Sequence, residues 1–173
     1  MLIKRLVLKT RGLSLLELQD RLKEKGIYYE DIKNNSDDIF LRRANNLPPP
    51  EKFTVVLLYP SDLGLENPCY KKIRERSQEI GLKLCPIELA YYLRQSYDEQ
   101  SIGERIFVVT NPIKRNVGCW NNYTLIVLER DENNLFLKYA PIINYQWEKE
   151  SKLAFVIPSD PKERENLISW LKD

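Results

Sequence analysis

Histidine is absent from this chain. Its absence removes the Ser-His-Asp and Cys-His arrangements and every zinc site that uses an imidazole. Any catalysis has to run on carboxylates, lysine, tyrosine, or a cysteine activated by something other than imidazole. Cysteine is scarce too. Cys69, Cys85 and Cys119 are an odd number without CxxC spacing, so neither a disulfide framework nor a metal cluster follows, and no metal or cofactor is expected. Long apolar runs are also missing. The opening MLIKRLVLKTRGLSLLELQD is broken by charge every few positions, which gives neither a signal-peptide core nor the roughly 20 apolar residues of a membrane span. Reduced thiols without an export signal predict a cytoplasmic protein with no membrane partner. A surplus of charge is lacking as well: 27 Lys and Arg against 25 Asp and Glu leave a net +2. That is too small to predict nucleic-acid binding from charge.

What is present is the composition of an ordinary folded protein, 43% hydrophobic and 30% charged over 173 residues. That length suffices for one well-buried core. The punctuation suggests an N-terminal helix/hairpin unit, residues 1–47, able to dock on a main domain of residues 51–173. Between them the run Asn45-Asn-Leu-Pro-Pro-Pro50 reads as a stiff extended connector.

Residues 3–9 read as a short strand. Ser14 and Glu17 have capping-box spacing, Leu15, Leu18 and Leu22 follow at helical spacing, and Gly26 supplies a stop, which predicts a helix over 14–25. A hairpin around Asn34–Asp38 is expected next. Phe53–Tyr59 is a continuous β-prone run, as expected of a strand covered on both faces. Asn67 and Pro68 suggest the cap and first turn of a second helix ending at Gly81, and Pro86 the start of a third. Residues 105–110, 123–128, 135–139 and 153–157 are β-prone, with Arg130–Asn134 as a hairpin loop. A final amphipathic helix opens at Asp160-Pro161. The expectation is an α+β fold, an antiparallel sheet of about four to six strands packed with three to four helices.

Asn67–Glu104 concentrates the candidate site. Cys85 precedes Pro86 at the expected cap of a helix, where the macrodipole favours a thiolate. Glu88 follows three residues on, and the competing reading makes the thiol a small core residue. Arg94 has the fork to clamp a carboxylate or phosphate, with Tyr97 and Gln100 orienting it. Glu104, just before a strand, is placed to pair with Arg94, and such a pair would equally serve as a structural tie. The two helices around Gly81–Pro86 also outline a helix-turn-helix, but the second would present Ile87, Glu88 and Leu89, poor at approaching phosphates. Lys71, Lys72, Arg74 and Arg76 lie on the first. Asn111–Asn122 reads as a polar link in which Lys114 and Arg115 beside Trp120 suit an anionic or planar ligand. Tyr28, Tyr29, Tyr91 and Tyr92 offer aromatic surface for a protein contact.

The order Gly81-Leu-Lys-Leu-Cys-Pro-Ile-Glu88, Leu93-Arg94, Tyr97-Asp-Glu-Gln100, Gly103-Glu104 and Pro112-Ile113 resembles a group of small uncharacterised bacterial proteins. These share a GLxLCPxE, LR, YxxQ, GE and PI pattern across what are residues 53 to 139 here. The resemblance implies a bacterial setting and no mechanism. The leading expectation is a non-catalytic binding or protein-interaction module. Its binding residues would be Cys85, Glu88, Arg94, Tyr97, Gln100 and Glu104, and its partner a protein or a small anionic ligand. The alternatives are a histidine-free enzyme using Cys85 or a carboxylate, and a winged-helix-like DNA binder.

Overall fold

The computed structural model describes residues 3–30, 49–117, 120–142, 147–163 and 167. The hairpin expected around Asn34–Asp38, most of the proline connector, and the C-terminal helix apart from 161–163 and 167 lie outside them. The fold is α+β, with strands β1 (Lys4–Lys9), β2 (Tyr28–Tyr29), β3 (Lys52–Leu58), β4 (Arg105–Val117), β5 (Trp120–Arg130), β6 (Leu135–Pro141) and β7 (Lys152–Ile157). Helices α1 (Leu15–Glu24), α2 (Tyr70–Glu79) and α3 (Ile87–Ser96) accompany a 3-10 turn at Pro60–Leu63.

The strands form one sheet in the order β1-β3-β7-β4-β5-β6-β2. Seven strands exceed the four to six expected. The sheet is also mixed rather than antiparallel, because β7 runs parallel to β4 and β2 parallel to β6. The reason is topological. The last strand returns to the middle of the sheet, between β3 and β4, and neighbours in sequence carry no signal of that insertion. Residues 3–30 supply both edge strands and share one core with α3 and the central strands.

The sheet is covered on both faces. On one, Leu15, Leu18 and Leu22 of α1 and most of α3 pack on Val55, Leu57, Ile106, Ile126 and Leu137. On the other, α2, the 3-10 turn, Trp147 and Leu167 pack on Val56, Leu58, Phe107, Val127 and Phe155. Val55–Leu58 are accordingly all buried, as the unbroken apolar run anticipates.

Helix α1 begins where the capping box places it. The N–H of Glu17 donates to Ser14 Oγ at 3.3 Å and the N–H of Ser14 to Glu17 Oε2 at 2.8 Å. Helix α2 starts later than expected, capped by Cys69. Asn67 takes a left-handed φ of 42°, and the carbonyl of Pro68 accepts from the N–H of Trp147 at 3.3 Å. Pro68 therefore belongs to the approach, not to the first turn.

The link from α2 to α3 passes through the sheet. The parallel register of β4 and β7 ends at Val108↔Ala154. In the gap beyond, Lys83 and Val156 exchange two backbone hydrogen bonds of 2.9 Å, and the N–H of Cys85 donates to the carbonyl of Val109 at 2.8 Å. Leu82 packs in one core cluster and Cys85 in the other. Helices α2 and α3 thus lie on opposite faces and form no helix-turn-helix. Next to this crossing, β4 bulges: Val109–Pro112 face Leu125 alone between the pairs Val108↔Ile126 and Ile113↔Thr124. The stretch Asn111–Asn122, expected as a polar link, is mostly the continuation of β4 and the start of β5. A strand in a two-stranded extension needs cross-strand backbone partners more than an apolar sequence. The side chains of 115–122, including Arg115 and Trp120, lie outside the described residues.

Candidate functional site

The six expected site residues are all largely buried, and they divide into two places. Cys85 and Glu88 lie at the N-terminal end of α3; Arg94, Tyr97, Gln100 and Glu104 lie at and beyond its C-terminal end, about 10 Å away along the helix.

Cys85 stands one residue outside the helix, because Pro86 occupies the cap. Its thiol, 4% exposed, lies 3.3 Å from the carbonyl of Ala154. Burial pushes the thiol far above its usual range, since the thiolate would lose hydration with no cation to replace it. Of the two readings of Cys85, the small core residue fits its burial: the thiol fills the sheet crossing. Glu88 is buried in the first turn of α3. Burial first, then Tyr139, and last Glu88 push the Tyr91 phenol well above its ordinary value. Tyr91 and Tyr92, expected as contact surface, are core. The Tyr92 hydroxyl accepts from the N–H of Arg11 at 2.8 Å. Tyr28 is exposed and stacks on Phe136 at 5.6 Å between ring centroids.

Arg94 is 0% exposed. A guanidinium is tolerated there only where hydrogen bonds replace its hydration, and here both terminal nitrogens find acceptors at and beyond the end of α3. Its Nη1 donates to Gln100 Oε1 and lies 3.5 Å from the carbonyl of Glu129, while Nη2 donates to the carbonyl of Tyr97. Its Nε has no partner among the described residues. Burial lowers its pKa to about 10, with Asp98 opposing the shift. Gln100, also fully buried, turns its amide to the carbonyls of Glu104 at 2.7 Å and Leu128 at 2.9 Å. Glu104 does not pair with Arg94. Its carboxylate binds Lys152 Nζ on one oxygen and the N–H of Ser101, at 3.0 Å, on the other. Burial works against the charge of Lys152, but the bond to Glu104 prevails and raises its pKa.

Residues the sequence did not single out complete the network. Arg130 Nη1 donates to the carbonyls of Asp98 at 3.0 Å and Gln100 at 2.8 Å, and its own carbonyl accepts from the N–H of Gly103 at 2.9 Å. Lys4 Nζ lies 2.8 Å from Glu99 Oε2 and 4.3 Å from the centroid of the Tyr97 ring. Glu129 bonds both Arg105 and Lys138 at 2.9 Å. No sequence spacing announces these partners, since they are spread over β1, β4, β5 and β6.

The product of this network is a fixed exposed loop, Asp98–Gly103. Underneath are Arg94, Gln100 and Arg130; on the outside are Asp98, Glu99, Ser101, Ile102 and Gly103. Ile102, 63% exposed, is the most exposed large apolar side chain among the described residues. Gly103 closes the turn at φ 77°, a left-handed conformation that costs glycine little. Among the described residues, surface grooves lie elsewhere, one of about 420 Å³ beside α1 with Glu17, Asp20, Arg21 and Lys25 on its walls; neither it nor the grooves beside Lys83 are lined by the six expected residues. Among the described residues no group of three or more cysteine, aspartate or glutamate side chains is placed to hold a metal, and no helix is long and apolar enough to cross a membrane. Comparisons with protein-family models, with curated proteins and with solved structures found no match, so the reading of this site rests on its geometry.

Proposed function

We propose that the protein is a non-catalytic protein-interaction module that presents the Asp98–Gly103 loop to a partner. The observation that carries this reading is an exposed apolar tip, Ile102, on a loop whose backbone is tied from beneath by buried Arg94 and Gln100 and by half-buried Arg130. A loop already held in one conformation loses little entropy on binding. A solvent-facing isoleucine on a loop that also exposes Asp98 and Glu99 suits an apolar socket rimmed by lysine or arginine. Three earlier readings lose support. Arg94 commits both terminal nitrogens internally and does not reach the surface, so a small anion has no clamp. Cys85 and Glu88 are buried and Glu104 is engaged by Lys152, so the enzyme reading has no free nucleophile or base among its candidates. The DNA reading needed a protruding second helix, whereas α3 is buried from Ile87 to Arg94. The resemblance to small bacterial proteins adds only the setting in which a partner would be sought.

The test is site-specific photo-crosslinking from Ser101 in the native cell. A discrete adduct is expected, lost in Ile102→Asp while the thermal midpoint stays unchanged. An adduct pattern no different from that of a crosslinker at Lys72 on α2 would overturn the reading.

A further inference from the structure

Among the described residues, strand β1 has one open side. It pairs with β3 from Lys4↔Leu57 to Lys9↔Lys52, and among the described residues no strand pairs with its other side. Which backbone groups face outward follows from the next pair in the same register, where the N–H of Thr10 donates to the carbonyl of Glu51 at 2.8 Å. Bonded and non-bonded pairs alternate in an antiparallel ladder. Leu8, Leu6 and Lys4 therefore bond to β3, and Arg5, Val7 and Lys9 direct their N–H and C=O groups to the open side.

The side chains of those three residues are exposed, Val7 by 57%. Their neighbours across the ladder on that face are Val56, Thr54 and Lys52. Lys9 thus sits directly opposite Lys52, an unfavourable pairing, and none of Arg5, Lys9 and Lys52 has a carboxylate partner among the described residues. Among the described residues the edge offers a row of unmet backbone groups beside uncompensated positive charge. A second copy of this chain does not suit it. Two such edges related by a two-fold axis at Val7 would set Arg5 against Lys9 twice, which is how lysine guards an edge strand against its own kind.

We propose that the outer edge of β1 is a docking site for an extended acidic segment of a partner protein. The segment adds one more strand to the sheet, with acidic side chains opposite Arg5 and Lys9 and an apolar one opposite Val7. Main-chain bonds to Arg5, Val7 and Lys9 hold it, and the acid–apolar–acid alternation selects it. This inference is independent of the loop reading above.

The test uses a capped, fluorescently labelled peptide, TETVTET, titrated with the full chain at low ionic strength, with TKTVTKT as its control. A saturable rise in anisotropy is expected for the first peptide alone. Arg5→Glu and Lys9→Glu each weaken it by about fivefold or more. TETVTET N-methylated on the residues that donate to β1 loses binding with the protein unaltered. Val7→Pro, at an edge position that tolerates proline, loses it as well. Binding indifferent to N-methylation would mean charge attraction without strand addition and would overturn the proposal, as would no binding. A concentration-dependent dimer in sedimentation, in place of peptide binding, would give the edge to a second copy and overturn it too.

Discussion

Replacing Arg94 by methionine tests the central structural claim, that a buried cation holds the Asp98–Gly103 loop. Methionine approximates the arginine stem and fills most of the space, so cavity formation contributes little. What is lost is the set of donors. Gln100 Oε1 and the carbonyl of Tyr97 are left without the bonds they now accept, and the longer contact to Glu129 goes as well. Each buried acceptor left unmet costs about 1–3 kcal/mol. Against this stands the relief of burying a charge, the same desolvation that lowers the pKa of Arg94. The balance is a loss of about 3 kcal/mol, which in a chain of this size lowers the thermal midpoint by roughly 6–12 °C. Urea unfolding followed by tryptophan fluorescence measures the first quantity and calorimetry the second. Hydrogen exchange at the amides of Ser101, Gly103 and Glu104 should quicken beyond the global change, because these amides bond within the tied turn. The double variant Arg94→Met with Gln100→Leu should cost less than the sum of its parts by about 1–2 kcal/mol, since the two side chains bond each other. A loss below about 1 kcal/mol, with exchange in the turn unchanged, would refute the reasoning.

Cys85 should resist alkylation in the native state across pH 5 to 9 and react only on unfolding, read by mass spectrometry of its peptide, while exposed Cys69 labels at once. Rapid native labelling of Cys85 would contradict its burial and its raised thiol pKa. Glu129 bears on acid stability. Burial opposes its charge, but bonds and attraction from Lys138 and Arg105 prevail and hold its carboxyl below the ordinary range. A carboxylate with a depressed folded pKa contributes stability that is present above the unfolded value near 4.3 and is lost as pH falls through the lower folded value. Glu129→Gln should therefore destabilise at neutral pH and flatten the acid limb below about pH 4. An acid limb parallel to that of the wild type would remove Glu129 from the account.

Local chemistry was legible in the sequence because its partners are close along the chain. Ser14 and Glu17 announce the start of α1 with no help from elsewhere, Gly26 and Gly81 mark helix ends, and the apolar run at Val55–Leu58 implies cover on both faces. The Asp131–Asn134 turn, where Asp131 Oδ1 accepts from the N–H groups of Asn133 and Asn134 at 2.9 and 2.7 Å, belongs to the same class. Tertiary structure alone decided the rest. The place of β7 inside the sheet, the passage of Lys83–Cys85 between two strands, and the continuation of β4 through polar residues all depend on backbone partners remote in sequence. The polar cluster from Arg94 to Glu104 was visible as a cluster, but its direction was not. Composition cannot say whether a guanidinium faces water or turns inward to Gln100 and Tyr97, nor that Glu104 has Lys152 within reach. Burial and pairing are properties of the folded surroundings, and in this chain they make a support of the residues that looked most like a site.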